Sequence, residues 1–276
     1  MSVQTAKNIK NRIKSIKNTR RITNAMKLVA TSKSKKAMDD ICGPRKYYDE
    51  ILKTVLEASN EKEAKSLPYF TENHKSNKTC TIVIAGDRGL AGGYNINIFK
   101  EANKFHEADI ISIGKKSCER FTESKIKYAK TESITQDNIN ELAEWILKSF
   151  IDGKYRNIYI IHTEFITMLS QVPKITRILP VDYTDKKEDI KRSATIYEPS
   201  LEEVLKNLIF QYIVATIYSM IKEAFLCETA SRRVAMEAAT KSADEMLDSL
   251  YMDYNRARQS AVTQELSEIV SGAGIL

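Results

Sequence analysis

From residue 200 to residue 271 the chain contains neither glycine nor proline, a run of 72 residues without a backbone breaker. Apolar residues recur through it at helical spacing, so the segment predicts one continuous helix about 105 Å long at 1.5 Å per residue. Globular helices usually stop after 8 to 20 residues, and one of this length needs a partner along its side. Its start is marked by Pro199 and then Ser200 as N-cap, with Glu203 three residues on to complete a capping box. Gly272 and Gly274 mark its end. The apolar stripe is broad over 201–225 and narrows after Ser231 to Ala235, Ala238, Ala239 and Ala243, small residues that let a second helix approach closely.

The candidate partner lies at the other end of the chain. Residues 1–42 also lack glycine and proline, and Ile9, Ile13, Ile16 and then Ile22, Met26, Val29 repeat at steps of four and three. Residues 1–60 and 199–276 are therefore expected to form an antiparallel coiled coil, a two-stranded shaft. After Leu250 the apolar positions thin to Tyr254, Ala257, Ala261, Leu266 and Ile269, which predicts an end without a partner from its own chain and surrounded by something else.

Between the two helices the texture changes to that of a small central α/β domain, residues 78–190, Rossmann-like with a mainly parallel sheet. Strand signals fall at 79–85, 109–113 and 157–162, with an edge strand at 174–179 between Pro173 and Pro180; helical patterns fall at 95–106 and 138–151. Polar stretches at 60–78 and 182–193 read as linkers. The fold class is thus α/β plus long helices.

Charge is distributed unevenly. Residues 1–38 hold eleven Lys or Arg and no acid, so a net charge of +7 leaves 7 − 11 = −4 for the rest. Such a segment faces an acidic partner, whether nucleic acid, anionic lipid or an acidic protein surface. The run Lys33, Lys35, Lys36 and the pair Arg20 and Arg21 could meet phosphates, but no aromatic residue for base stacking occurs in the first 46 residues. The longest apolar runs, such as 81–85, are far shorter than the roughly 18 residues of a membrane span, and the basic start lacks the apolar core of a signal peptide. Cys42, Cys80, Cys118 and Cys227 form no CxxC pair and have no histidine at metal-ligand spacing, so neither a disulfide framework nor a zinc site is expected.

Catalytic groups are sparse. The loop at 86–93, GDRGLAGG, sits between a strand and a helix where amides can cradle a phosphate, yet its spacing is GxxGxxG and no Lys-Ser or Lys-Thr follows. A tight turn with an exposed charged tip is the expected reading. His74 lies in a polar linker and His106 at a helix end; His162 and Glu164 could share a strand face as an acid–base pair, but no nucleophile or metal cluster accompanies them. Two further classes stay open on composition: a basic coiled-coil nucleic-acid-binding protein and a nucleotide-dependent α/β enzyme.

Three blocks, ITNAMKLVATSKSKKA at 22–37, GDRGLAGGYN at 86–95 and SRRVAMEAATKSADEMLDSLYMDYNRARQSAVTQELSEIVSGA at 231–273, closely resemble the γ subunit of the F-type ATP synthase, and FITMLSQVPKITRILP at 165–180 is similar to the same family. The resemblance covers the chain in order and implies a central rotor shaft. Such a shaft is not itself catalytic and binds no cofactor or metal; it couples proton translocation to ATP synthesis or hydrolysis at the β subunits. It implies α and β subunits, the ε subunit and the c-ring as partners, no nucleic acid, and a peripheral place on the cytoplasmic side of the cell membrane through the complex. By the same resemblance Met26 is the coupling methionine beside the acidic lever of β, with Lys27, Arg88 and the loop carrying Ala91 approaching the same surface. Arg256, Gln259, Thr263, Gln264 and Glu265 match the part held in the αβ collar, and Thr195, Tyr197 and Glu198 the foot on the c-ring and ε. Ala91 stands where many relatives carry cysteine, and the cysteine-bearing insertion of the chloroplast members is missing, so thiol control is not expected.

Overall fold

The computed structural model describes residues 2–61, 63–71, 76–182 and 197–273. The chain divides into two compact units, one of residues 32–231 and one of 1–31 with 232–276. Helices α1 (Ser2–Ser59) and α5 (Leu201–Ala273) each contribute to both.

The larger unit is built on a five-stranded sheet. Its strands are β1 (Thr79–Ile84), β2 (Asp109–Ile113), β3 (Ile126–Tyr128), β4 (Asn157–Phe165) and β5 (Gln171–Leu179), in the order β3-β2-β1-β4-β5. All pairs are parallel except β4 with β5. β1, TCTIVI, is central and buried on both sides because helices cover both faces. The two-residue period sorts its side chains. Cys80, Ile82 and Ile84 join Ile111, Ile113, Ile158 and Ile160 beneath Leu142 and Ile146 of α4 (Gln136–Ile151) and Leu205, Ile209 and Ile213 of α5. Val83 and Ala85 face the other way, onto Tyr94 and Ile98 of α2 (Tyr94–Ala102), Ile161 and Cys227. Within this unit α1 lies antiparallel to α5: Tyr48 stacks on Tyr212, and Lys33 sits 5.8 Å over the Phe225 ring.

Several boundaries move from those expected. α4 begins two residues before Asn138, because Thr135 and Asn138 form a reciprocal capping box. β5 starts at Gln171 and passes through Pro173, which an edge strand tolerates since its missing N–H faces no neighbour. Two elements were not anticipated, the three-residue β3 and the six-residue α3 (Lys115–Arg120), both too short for a periodic signal. α1 continues through Pro44, a missing backbone donor that a long packed helix absorbs. Ser200 caps α5 as expected, its hydroxyl accepting from Glu203 N at 3.3 Å. One stretch of α5 is long and apolar enough to cross a membrane, with a mean hydropathy of 1.4, yet 61% of it is buried, as befits a core helix.

In the smaller unit the two helices form a narrow antiparallel seam. Thr240 donates to Thr23 at 2.9 Å, Arg20 pairs with Asp244, and Lys17 lies 5.2 Å over the Tyr251 ring. On α5 Met236, Thr240, Ala243, Leu247, Leu250, Tyr254, Ala257 and Ala261 form a covered row at alternating steps of four and three, as a coiled coil requires, with Ala239, Ser242 and Asp244 partly covered beside it. On α1 the covered positions are Ile9, Ile13, Ile16, Thr23, Met26, Lys27 and Ala30. The expected continuation through Ile22 and Val29 is corrected: those side chains are 61% and 58% exposed, because a 3.5-residue period carried on from Ile16 reaches Thr23 and Ala30, one position further. The unpartnered end also begins later than Leu250. Ala261 is only 8% exposed, and beyond it Val262, Leu266, Ile269 and Val270 are exposed.

Candidate functional site

The loop from β1 to α2 is anchored by hydrogen bonds on both sides. Gly86 N donates to Asn95 Oδ1 at 2.9 Å. The Asp87 carboxylate accepts from Lys115 N at 3.2 Å and from Thr131 N and Oγ1 at 3.1 and 2.9 Å, tying the loop to α3 and the following turn. Helix α5 holds the other side: Glu228 accepts from Asp87 N and Arg88 N, Ser231 donates to the Ala91 carbonyl, and Tyr94 of α2 donates to the Ala224 carbonyl. Two glycines sit in close approach, and at Gly114 glycine is required. A Cβ on Gly86 would lie 2.8 Å from Glu228 Cδ; one on Gly114, whose φ is +93°, would lie 2.0 Å from the Ala85 carbonyl oxygen.

The amides of Asp87 and Arg88, which in a nucleotide-binding loop would meet a phosphate, thus meet a carboxylate of the same chain. The loop leaves Arg88, Gly89 and Leu90 exposed, with Leu90 in the left-handed region at φ 61°. Ala91 is corrected: at 2% exposure its methyl packs in the core with Tyr94 and Ile98 and presents nothing to a partner.

The other expected contact residues fall in separate places. Met26 and Lys27 are half-buried on α1 in the smaller unit, beside the exposed Ile22, Leu28 and Val29. Arg256, Gln259 and Thr263 lie on one exposed face of α5 at helical spacing, Thr263 Oγ1 donating to the Gln259 carbonyl at 3.0 Å; Gln264 is exposed next to them. Glu265 is described only as part of the helix. Tyr197 packs against the larger core and Glu198 is exposed, whereas Thr195 and His74 lie outside the described residues.

The suggested His162–Glu164 pair does not form. Glu164 pairs with Lys174 at 2.6 Å, while the His162 ring points to Glu223 at 3.8 Å and Thr176 at 3.5 Å. Burial, helped by the Lys174 charge, pushes the His162 pKa down to about 4, and burial raises that of Glu223. The ring is therefore neutral at pH 7, and its approach to Glu223 is a polar contact rather than an ion pair. Burial also pushes the Cys80 thiol up to about 12 and raises those of Cys118 and Cys227, leaving them poor nucleophiles. Among the described residues no group of His, Cys, Asp and Glu is placed to hold a metal ion.

Glu228 and the exposed Leu28 escaped sequence reasoning, which places Ile22 and Val29 in the seam rather than on the surface. An acidic residue seven positions after Ile221 on a long helix carries no local signal of a loop 140 residues away.

A five-stranded sheet whose loop amides meet a carboxylate of the same chain, with two long helices that leave basic and apolar residues exposed, defines the class: an α/β unit carried on long helices. Residues 5–276 match a family model described as ATP synthase. The ATP synthase gamma chain of Ruminococcus albus is 37% identical over 280 residues, covering 97% of both chains, and that of Ruminiclostridium cellulolyticum is 38% identical over 286 residues, again covering 97% of each. Among solved structures, the rotor of Euglena gracilis mitochondrial ATP synthase in rotational state 1 superposes with a TM-score of 0.67 at 17% identity, over 94% of this chain and 99% of that one. The chain belongs to the ATP synthase gamma chain family. Its role is that of the non-catalytic central shaft, catalysis residing in the beta subunits.

Proposed function

We propose that this chain turns within a hexamer of α and β subunits and couples proton translocation through the c-ring to ATP synthesis or hydrolysis. It sits with the ε subunit at the cytoplasmic face of the cell membrane and touches the membrane only through the complex. The observation that carries this reading is the surface left open beside Met26: a helix face with Ile22 and Val29 exposed, inside a segment that holds eleven cations and no acid. Exposed apolar residues on a helix segment whose own charges are all basic suit an acidic partner surface with apolar contacts at its centre. Met26 and Lys27 are the residues assigned to the acidic lever of β, together with Arg88.

The exposed face of Arg256, Gln259 and Thr263, with Gln264 and Glu265, is assigned to the αβ collar, and Tyr197 and Glu198, with Thr195, to the foot on the c-ring and ε. The apolar side chains from Val262 to Val270 support the collar assignment, since this chain does not cover them. The test is reconstitution with α, β and ε subunits and the membrane sector in vesicles. Met26→Lys adds a cation against the lever and is expected to lower protons pumped per ATP several-fold while the melting of the isolated subunit stays unchanged. Unaltered pumping per ATP would remove Met26 from the coupling surface.

A further inference from the structure

We propose that Glu228 is a positioning residue that fixes the backbone at Asp87 and Arg88 and so aims Arg88 at the partner surface; this rests on the reading of the 86–93 loop as a β contact. Ala224, Glu228 and Ser231 occupy one stripe of α5 at steps of four and three, and all three engage the loop or its helix. Glu228 stands in the middle. Its two carboxylate oxygens face two successive amides, at 3.4 Å each, long for single bonds but convergent on one charged acceptor. Glu228 is buried, so solvent does not compete with this arrangement.

Residue 87 is gripped from both sides, its amide by Glu228 and its side chain by Lys115 and Thr131, and Arg88 is the next residue outward. The loop does not adopt this shape unaided. Leu90 is held at φ 61°, a conformation non-glycine residues keep only where the surroundings impose it. Gly86 completes the arrangement, because any side chain there would displace the Glu228 carboxylate.

The experiment compares Glu228→Gln, Gly86→Ala, Arg88→Ala and the double variant Glu228→Gln/Arg88→Ala. Each is measured by hydrogen exchange of the 87 and 88 amides in the isolated subunit and by protons pumped per ATP in the reconstituted complex. Glu228→Gln should speed exchange at both amides about tenfold and lower pumping to the level of Arg88→Ala, and the double variant should be no worse than Arg88→Ala alone. Gly86→Ala, which moves the carboxylate without removing it, should reproduce both effects. Unchanged exchange in Glu228→Gln, or pumping losses that add in the double variant, would overturn the positioning role. Normal pumping by Arg88→Ala combined with faster exchange in Glu228→Gln would instead defeat the β-contact reading, leaving Glu228 as a loop anchor with nothing to aim.

Discussion

His162 makes the larger unit's stability depend on pH in a direction the structure dictates. An exposed histidine titrates near 6.5, whereas burial lowers His162 to about 4 in the folded chain. Between those values the unfolded chain binds a proton that the folded chain refuses, so stability is complete above pH 6.5 and is lost as pH falls toward 4. At 1.36 kcal/mol per pH unit the drop from 6.5 to about 4 is worth about 3 kcal/mol. Glu223 works in the opposite sense, since its raised pKa lets the folded state take up a proton first on acidification. Lys174 and Glu164 also act on the ring, so the histidine's share has to be read against a variant that keeps them all. His162→Gln retains a polar side chain and removes the titration. Trp145, the chain's single tryptophan, packs against Tyr155 in the same core, so its fluorescence in urea reports unfolding of this unit. The wild-type chain should lose about 3 kcal/mol more than His162→Gln between pH 7 and pH 4. Parallel pH profiles for the two proteins would show that the ring is already free to protonate when folded.

The seam gives a contrast between neighbours: Ile13→Ala should cost the smaller unit about 2–4 kcal/mol, while Ile22→Ser should stay within about 0.5 kcal/mol, both followed by circular dichroism melts of the isolated subunit. Gly114→Ala should cost roughly 3 kcal/mol or more, because it sets a methyl 2.0 Å from the Ala85 carbonyl at a φ of +93°; a melting point unchanged within a degree would refute the clash. Truncation from Gln264 onward removes the exposed Leu266, Ile269 and Val270, so the isolated chain should keep its Trp145 fluorescence and helical signal while ATPase and rotation of the complex weaken; global unfolding would show that this end packs on its own chain.

What could be read from the sequence followed the strength of local signals. β1 was legible because a strand buried on both faces leaves a β-rich run with little charge, and α5 because nothing interrupts it. β3 was not, since three residues on a sheet edge need no pattern. The seam misled at Ile22 and Val29 because apolarity alone favours isoleucine and valine over Thr23 and Ala30. The structure buries Thr23 by satisfying its hydroxyl, which donates to the Arg20 carbonyl and accepts from Thr240. At the site, the resemblance pointed to Arg88 and its loop, but Ala91 faces inward and Glu228 is joined to the loop only by the tertiary fold.

The apolar stretch of α5 also bears on how the chain is made. A helix that passes for a membrane span is a hazard if it leaves the ribosome with nowhere to go. Here the order of the chain removes that hazard. The last strand of the sheet ends at Leu179 and α5 starts at Leu201, so every strand that α5 covers has already been synthesised when its first apolar residues appear. At about 5–20 residues per second that lead amounts to a few seconds, long beside the time a small sheet needs to assemble. The receiving face of Ile82, Ile84, Ile158 and Ile160 is ready before its cover arrives, and translation delivers the segment most prone to misdirection last.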